Sequence, residues 1–202
     1  LLTRLYTQNI DGLDYQTDLP QSKIIPVHGS IGLVECEACG HPSDVDAFRS
    51  RVRAQIKDIY GIDTTAPESS SPIKCDNCGR FAVKPATVLF GRPLPKPFFE
   101  NLGPDTKDAD LCLVIGTSLQ VYPAATLPSM LQAGCPVVVI NPEPVAFESP
   151  TLEDGGRIWL KGTSDEQLLG LSRELGWLDD LCAFKDRFCP ESQMMLDAAR
   201  QS

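Results

Sequence analysis

The stretch LCLVIGTSLQVYPAATLPSMLQAGCPVVVI, residues 111–140, decides the fold class. Its two ends, LCLVIG (111–116) and PVVVI (136–140), are short apolar runs rich in β-branched residues, without the alternation of a half-exposed strand. Such runs are expected of strands covered on both faces, as in parallel sheets. The residues between them, SLQVYPAATLPSMLQAG, carry helix-compatible apolar spacing and stop at Gly134. Strand, helix and strand in that order predict a parallel βαβ unit. Further on, RIWLKG (157–162) and SDEQLLGLSRELGW (164–177) predict one more strand and a helix, opened by Ser164 as N-cap with an acidic first turn.

Towards the amino end, Glu35 to Phe81 breaks that rhythm. This region holds two CxxC pairs, a polar helix candidate DVDAFRSRVRAQIKDIYG and the loop-like TTAPESSSP. The expected organisation is an α/β Rossmann-like domain made of residues 1–34 and 82–178, a parallel sheet with helices on both faces. A small zinc-ribbon module, 35–81, is inserted into it, and 179–202 forms a C-terminal helix or tail.

The totals narrow the function. A chain of 202 residues buries one main core. With 18 Lys and Arg against 27 Asp and Glu the net charge is −9, which repels a phosphate backbone, so no direct nucleic-acid binding is expected. No apolar run approaches the roughly 18–20 residues of a membrane span, so no membrane partner is expected either. A secretory leader is not legible in LLTRLYTQNIDG.

Of the eight cysteines, four form CEAC (36–39) and CDNC (75–78), each followed by Gly. Two such knuckles offer four soft ligands to a tetrahedral ion, with Zn²⁺ the default in a reducing compartment. Cys36, Cys39, Cys75 and Cys78 fill all four positions with sulfur, so the zinc is expected to be structural, two disulfides being the alternative. His41, just past Cys39, is assigned to solvent. Cys112, Cys135, Cys182 and Cys189 are scattered and read as free thiols. His28 is followed by Gly29 and Ser30 at a strand end where a cleft could open, and an imidazole there is either structural or a general base. YTQNIDGL (6–13) and GTSLQVYP (116–123) either end in ordinary turns and caps or form the floor of a nucleotide site at the carboxyl edge of a parallel sheet.

Taken together, TQNIDGL, HGS, the two CxxC pairs, KPATVLFG (84–91), GTSLQVYP and VVVINPEP (137–144) resemble, in order and approximate spacing, the sirtuins, NAD-dependent protein lysine deacylases. The resemblance runs from Leu1 to about Leu178. It implies that His28 is the general base acting on a ribose hydroxyl of NAD, and that Asn9 and Asp11 are essential to cleavage of the glycosidic bond. Gln8, Asn9, Ile10 and Asp11 would line the pocket around the nicotinamide and its ribose. Gly116, Thr117 and Ser118 would face the adenine-side ribose, Asn141 would bind ribose hydroxyls with Glu143 close by, and Ser164 would stand near the adenine. Val88, Phe90 and Val121 would wall an apolar tunnel for the acyl-lysine, and Gly91 would pair with the substrate peptide as an added strand. The implied partner is an acylated-lysine protein or peptide, histones among them.

Two departures qualify the resemblance. The family's Gly-rich phosphate loop normally precedes TQNID, and here the sequence begins at Leu1. The chain therefore reads as the carboxyl-terminal part of a sirtuin, expected to bind NAD poorly. The alternatives are a catalytically inactive truncated sirtuin acting as a protein-binding or regulatory module, and a mono-ADP-ribosyltransferase. The second departure is Arg92, where the family usually carries an acid. The thiols imply a reducing intracellular compartment, with nucleus or cytoplasm placed ahead of the mitochondrion.

Overall fold

The computed structural model describes residues 2–146 and 157–201. The expected domain span 82–178 includes residues 147–156, which lie outside the described residues, as do Leu1 and Ser202. The chain divides into two compact units, Leu1–Asn101 and Leu102–Ser202.

In the first unit, β1 (Leu5–Thr7) pairs in parallel with β2 (Ile24–Pro26), with Leu5 opposite Ile24 and Thr7 opposite Pro26. A turn carrying Val27 and His28 leads into β3 (Gly29–Cys36), which lies between the short β4 (Pro42–Ser43) and β5 (Val83–Thr87) in an antiparallel sheet. The β3–β5 register shifts between Ser30 and Val34, and this irregularity leaves Ile31 and Leu33 exposed. The helix candidate of the inserted segment forms as α1 (Val45–Gln55), capped by the Asp44 carboxylate, which accepts the Ala47 N–H at 2.7 Å. A longer helix, α2 (Lys96–Asp108), starts in this unit, where the buried Phe98 packs edge-on against Tyr6 with ring centroids 6.0 Å apart.

In the second unit, β6 (Cys112–Ile115), β7 (Val137–Ile140) and β8 (Arg157–Leu160) form a parallel sheet in that order, as the sequence predicts. Rows of partners fix its two faces. Val114 and Val139 share one face, and with Val137, Leu119, Ala125, Leu131, Cys135 and Val145 they form the core. On the other face the central Ile140 is buried, but Leu113 is 44% and Ile158 51% exposed. Coverage on both faces, expected from the apolar runs, therefore holds for β7 but not for β6 or β8.

Two local expectations change. The segment between β6 and β7 forms a 3-10 helix at Ala124–Met130 rather than a long α-helix. Pro123 and Pro128 each remove an amide donor, and a proline ring obstructs the carbonyl four residues earlier. In α3 (Ser164–Glu174) the N-cap is Thr163, not Ser164. The Thr163 hydroxyl accepts the Glu166 N–H at 3.3 Å while the Glu166 carboxylate accepts the Thr163 N–H at 3.0 Å. The chain then forms α4 (Leu178–Cys182) and α5 (Pro190–Gln201); α5 buries Leu196 and is tied down by ion pairs from Lys185 to Asp197 and from Arg200 to Asp179. No helix among the described residues is long and apolar enough to cross a membrane.

Candidate active site and metal centre

The two histidines of the chain have separate fates. His28 lies in the turn between β2 and β3, and its Nδ1 donates to the Gln8 carbonyl at 3.1 Å. A carbonyl only accepts, so Nδ1 carries a proton, and in the neutral imidazole Nε2 is then the acceptor. Nε2 is buried and has no hydrogen-bond partner in the protein. A buried acceptor left open costs about 1–3 kcal/mol, so it marks a place where a ligand's hydroxyl proton can be received. The His28 main chain is fixed as well, its carbonyl accepting the Val88 N–H at 2.9 Å.

Gly29 explains the HG pairing. Its φ is +76°, and a Cβ built there would stand 2.0 Å from the Ala86 carbonyl oxygen. The β3 and β5 backbones thus approach too closely for any side chain, which holds His28 at the head of the sheet.

The predicted TQNID segment leaves β1 as an open loop over the same turn. Asn9 N–H donates to Thr7 Oγ1 at 3.2 Å, Leu13 N–H to Asp11 Oδ1 at 3.1 Å, and Ile31 N–H to the Ile10 carbonyl at 2.8 Å. Gln8 is half-buried, whereas Asn9, Ile10 and Asp11 are exposed. The structure therefore brings Gln8 and His28 into contact and joins Ile10 to β3, while Asn9 and Asp11 are exposed. Ser30, absent from the predicted set, is buried, and its hydroxyl accepts the Gly32 N–H at 3.1 Å. The HGS triplet was its only signal in the sequence. Beyond β5, Val88 is half-buried, the Phe90 ring is fully exposed, and a Cβ on Gly91 would meet no atom within 4 Å beyond its chain neighbours.

In the second unit, Gly116, Thr117 and Ser118 follow β6 at its carboxyl end, the edge where ligands of parallel sheets gather. Gly116 N–H donates to the Ile140 carbonyl at 3.0 Å, and a Cβ on Gly116 would lie 3.8 Å from Ser164 Oγ, so these two expected cofactor residues are neighbours. Thr117 Oγ1 accepts the Leu119 N–H at 3.2 Å. Asn141 follows β7, its Nδ2 donating to the Glu143 carbonyl at 2.8 Å and its own carbonyl accepting Trp159 Nε1 at 2.9 Å. Val121 is 45% exposed.

The metal centre is explicit. Cys36, Cys39, Cys75 and Cys78 place their sulfurs within 4.8 Å of one another, with Cys36 Sγ 3.7 Å from Cys78 Sγ and Cys39 Sγ 3.8 Å from Cys75 Sγ. A regular tetrahedron with Zn–S of about 2.3 Å has S–S edges of about 3.8 Å, so the residues fit the ion. A disulfide would need about 2.05 Å, and all eight cysteines are free. Hydrogen bonds from the His41 main chain and the Asn77 side chain pull Cys39 down to about 6. The Cys78 N–H likewise lowers Cys75. Cys78, although the Arg80 N–H holds it down, is pushed up to about 11 by desolvation and by its neighbours Cys39, Cys36 and Cys75. Four thiols this close share charge badly until a cation joins them. His41 is exposed and contributes backbone only.

Two contacts around the knuckles have no local sequence signal. Arg51 of α1 reaches Asp76 at 3.1 Å and the Lys74 carbonyl, and Arg92 reaches Glu37 at 3.1 Å.

Comparison with known proteins gives the context of both sites. The sequence profile of the Sir2 family matches residues 1–123. The NAD-dependent protein deacetylase hst2 of Schizosaccharomyces pombe is 35% identical over 90% of this chain and 49% of its own length. NAD-dependent protein deacetylase sirtuin-2 of Danio rerio is 30% identical over 90% of this chain and 48% of its own. NAD-dependent protein deacylase 1 of Caldanaerobacter subterraneus subsp. tengcongensis is 37% identical over 69% of this chain and 50% of its own. The chain thus spans about half the length of these relatives. A family match over more than half of its residues, across the HGS turn and both cysteine knuckles, places the chain in the Sir2 family.

Proposed function

We propose that the chain supplies the general base, the acyl-lysine contacts and the structural zinc of an NAD-dependent protein lysine deacylase. The observation that carries this is His28, held by Gln8 through Nδ1 with Nε2 buried and unpartnered. NAD, when bound, would supply the ADP-ribose that accepts the acyl group as nicotinamide leaves, and with one water consumed the products would be free lysine, nicotinamide and O-acyl-ADP-ribose.

The chain's own residues are assigned the remaining work. His28 Nε2 takes the proton of a ribose hydroxyl, with Gln8 keeping the tautomer correct throughout. Asn9 and Asp11, both exposed, orient the nicotinamide end, which is the positioning that such a barrier depends on. Gly116, Thr117, Ser118, Asn141, Glu143 and Ser164 are the proposed ribose and adenine contacts. Val88, Phe90, Gly91 and Val121 are assigned to the acyl-lysine and its peptide, since apolar contacts accept a neutral acylated lysine more readily than an ammonium. Zinc has no open coordination position and serves as scaffold. The substrates are acylated lysines of proteins or peptides, histone tails among the candidates, in a compartment reducing enough to keep four thiolates free.

The test is product analysis by mass spectrometry after incubation with NAD and an acetyl-lysine peptide. O-acetyl-ADP-ribose and free nicotinamide should appear, and His28→Ala should abolish both while retaining bound zinc. Wild-type product levels in His28→Ala would end the proposal.

A further inference from the structure

We infer that Arg92 determines specificity by receiving a carboxylate of the substrate, so that the preferred acyl-lysines are those with Asp or Glu beside them; this rests on the acyl-lysine reading above. The strand β5 is an edge strand, paired among the described residues only with β3. On that edge Pro85 has no N–H and the Pro85 and Thr87 carbonyls are taken by Lys84 Nζ, so an extended peptide pairs at the end of the strand, by Gly91, and its side chains are then read by whatever flanks the strand there. What flanks it is a tight turn in which Arg92 N–H donates to the Leu89 carbonyl at 3.0 Å, with Phe90 fully exposed and no heavy atom within 4 Å of the Cβ position at Gly91. The surface beside Arg92 is therefore open.

Arg92 already holds one carboxylate. Its Nη2 lies 3.1 Å from Glu37 Oε1, with the two side chains 62% and 38% exposed. Glu37 belongs to the first cysteine knuckle, where its N–H donates to the Ala82 carbonyl at 2.8 Å and fixes the main chain, and its carboxylate meets Arg92 as an intramolecular competitor of a substrate acid. A guanidinium has five donors in a planar fork, and Glu37 Oε1 meets Nη2 alone among the described residues, leaving room for a second carboxylate or for exchange. An ion pair this exposed is weak, so a peptide carboxylate brought near by its own backbone competes effectively. Lys84 adds a fixed cation on the same strand, its Nζ donating to the Pro85 and Thr87 carbonyls at 3.2 and 2.9 Å. The chain's net charge of −9 disfavours acidic peptides at long range, but the screening length of about 8 Å at physiological salt leaves the adjacent Arg92 in control.

The experiment measures fluorescence anisotropy of matched peptides on the zinc-loaded protein. The peptides carry Glu or Lys beside the target lysine, each acetylated or unmodified. The Glu peptide should bind about fivefold tighter than the Lys peptide, about 1 kcal/mol at 1.4 kcal/mol per decade. Arg92→Glu should invert the ratio, Arg92→Lys should keep its direction, and Glu37→Gln, by removing the internal competitor, should widen it. A merely structural pair would change overall affinity or zinc content without moving the ratio. Equal binding of Glu and Lys acetyl-peptides, or a ratio unmoved by Arg92→Glu and Glu37→Gln, overturns the inference while acetyl dependence upholds the site. A charge preference without acetyl dependence upholds Arg92 and removes the acyl-lysine reading, and absence of any binding removes both.

Discussion

Replacing Gly29 by Ala, beside the parallel replacement of Gly91, separates two costs that the structure assigns to different places. Both glycines have positive φ, +76° and +82°, so each substitution carries the left-handed penalty of about 1–2 kcal/mol. At Gly91 nothing lies within 4 Å of the new methyl group, and the penalty ends there. At Gly29 the methyl would stand 2.0 Å from the Ala86 carbonyl oxygen and 2.9 Å from Thr87 Cα, both of them backbone atoms. Relief needs more than an ångström of strand separation. That breaks the Gly29–Thr87 and Ser30–Ala86 pairing and strains the Val88 to His28 bond of 2.9 Å. Two buried amides left open at about 1–3 kcal/mol each, added to the left-handed penalty, bring the Gly29→Ala loss to about 5 kcal/mol, the low end of the whole stability of a native protein. Urea unfolding of the zinc-loaded variants, followed by circular dichroism, measures both. Gly91→Ala should lose about 1–2 kcal/mol and Gly29→Ala about 3 kcal/mol more, with failure to fold as the limiting form of the same result. Losses that agree within about 1 kcal/mol would show that β3 and β5 do not meet as described, and that His28 is not held by their approach.

Replacing Cys36 or Cys75 by Ser should lower zinc affinity at least about 100-fold in competition with a chromophoric chelator, since even residues that only support a ligand cost about 10–100-fold; retention of stoichiometric metal would remove the tetrahedral site. Thr163→Ala should destabilise by about 1 kcal/mol in thermal unfolding, with Ser164→Ala changing little, because the reciprocal cap belongs to Thr163. Cys112 is pushed up to about 11 by burial and by Cys135, above its ordinary 9.0. A raised thiol favours the neutral form, so its contribution to stability is whole below about pH 9 and is lost as pH rises towards about 11. In the native protein at pH 8, Cys112 should resist iodoacetamide as followed by peptide mass spectrometry, while the exposed Cys189 reacts; equal labelling would contradict the burial.

Much of this was legible because its chemistry is local. CEAC and CDNC announce a four-sulfur site whatever surrounds them, and the Val-rich runs at 111–116 and 136–140 announce parallel strands by composition. The helix between them was misread because apolar spacing continued through Pro123 and Pro128, where missing amide donors decide the backbone. At the start of α3, both Thr163–Glu166 and Ser164–Gln167 satisfy a capping pattern. The charged Glu166 prevails, as a carboxylate at a helix start also meets the dipole, while Gln167 turns to the Lys161 carbonyl at 3.1 Å. The Arg92–Glu37 and Arg51–Asp76 pairs were invisible, since only the folded chain brings those positions together. The tautomer of His28 was equally hidden, because its partner is a main-chain carbonyl that carries no residue identity.

The spacing that made the metal site look unusual follows from the same contacts. Residues 40–74 separate the two knuckles, far more than the spacing of about 15–20 common for such pairs. Lengthening a loop costs little chain entropy, about 0.6 kcal/mol per doubling, provided that the added segment orders itself. Here α1 does so with its own cap, and Ser71 N–H to the Gln55 carbonyl at 2.7 Å and Lys57 N–H to Ser70 Oγ at 3.0 Å close the returning chain. The insertion is then fastened to the metal centre by Arg51, which engages both Lys74 before the first sulfur of the second knuckle and Asp76 after it. In each knuckle the residue following the first cysteine is an acid held by an arginine from elsewhere in the chain, Glu37 by Arg92 and Asp76 by Arg51. With all four coordination positions filled by sulfur, the ion contributes order rather than reactivity; Arg51 carries that order outward to α1, while the exposed pair of Glu37 with Arg92 is weak and open to exchange.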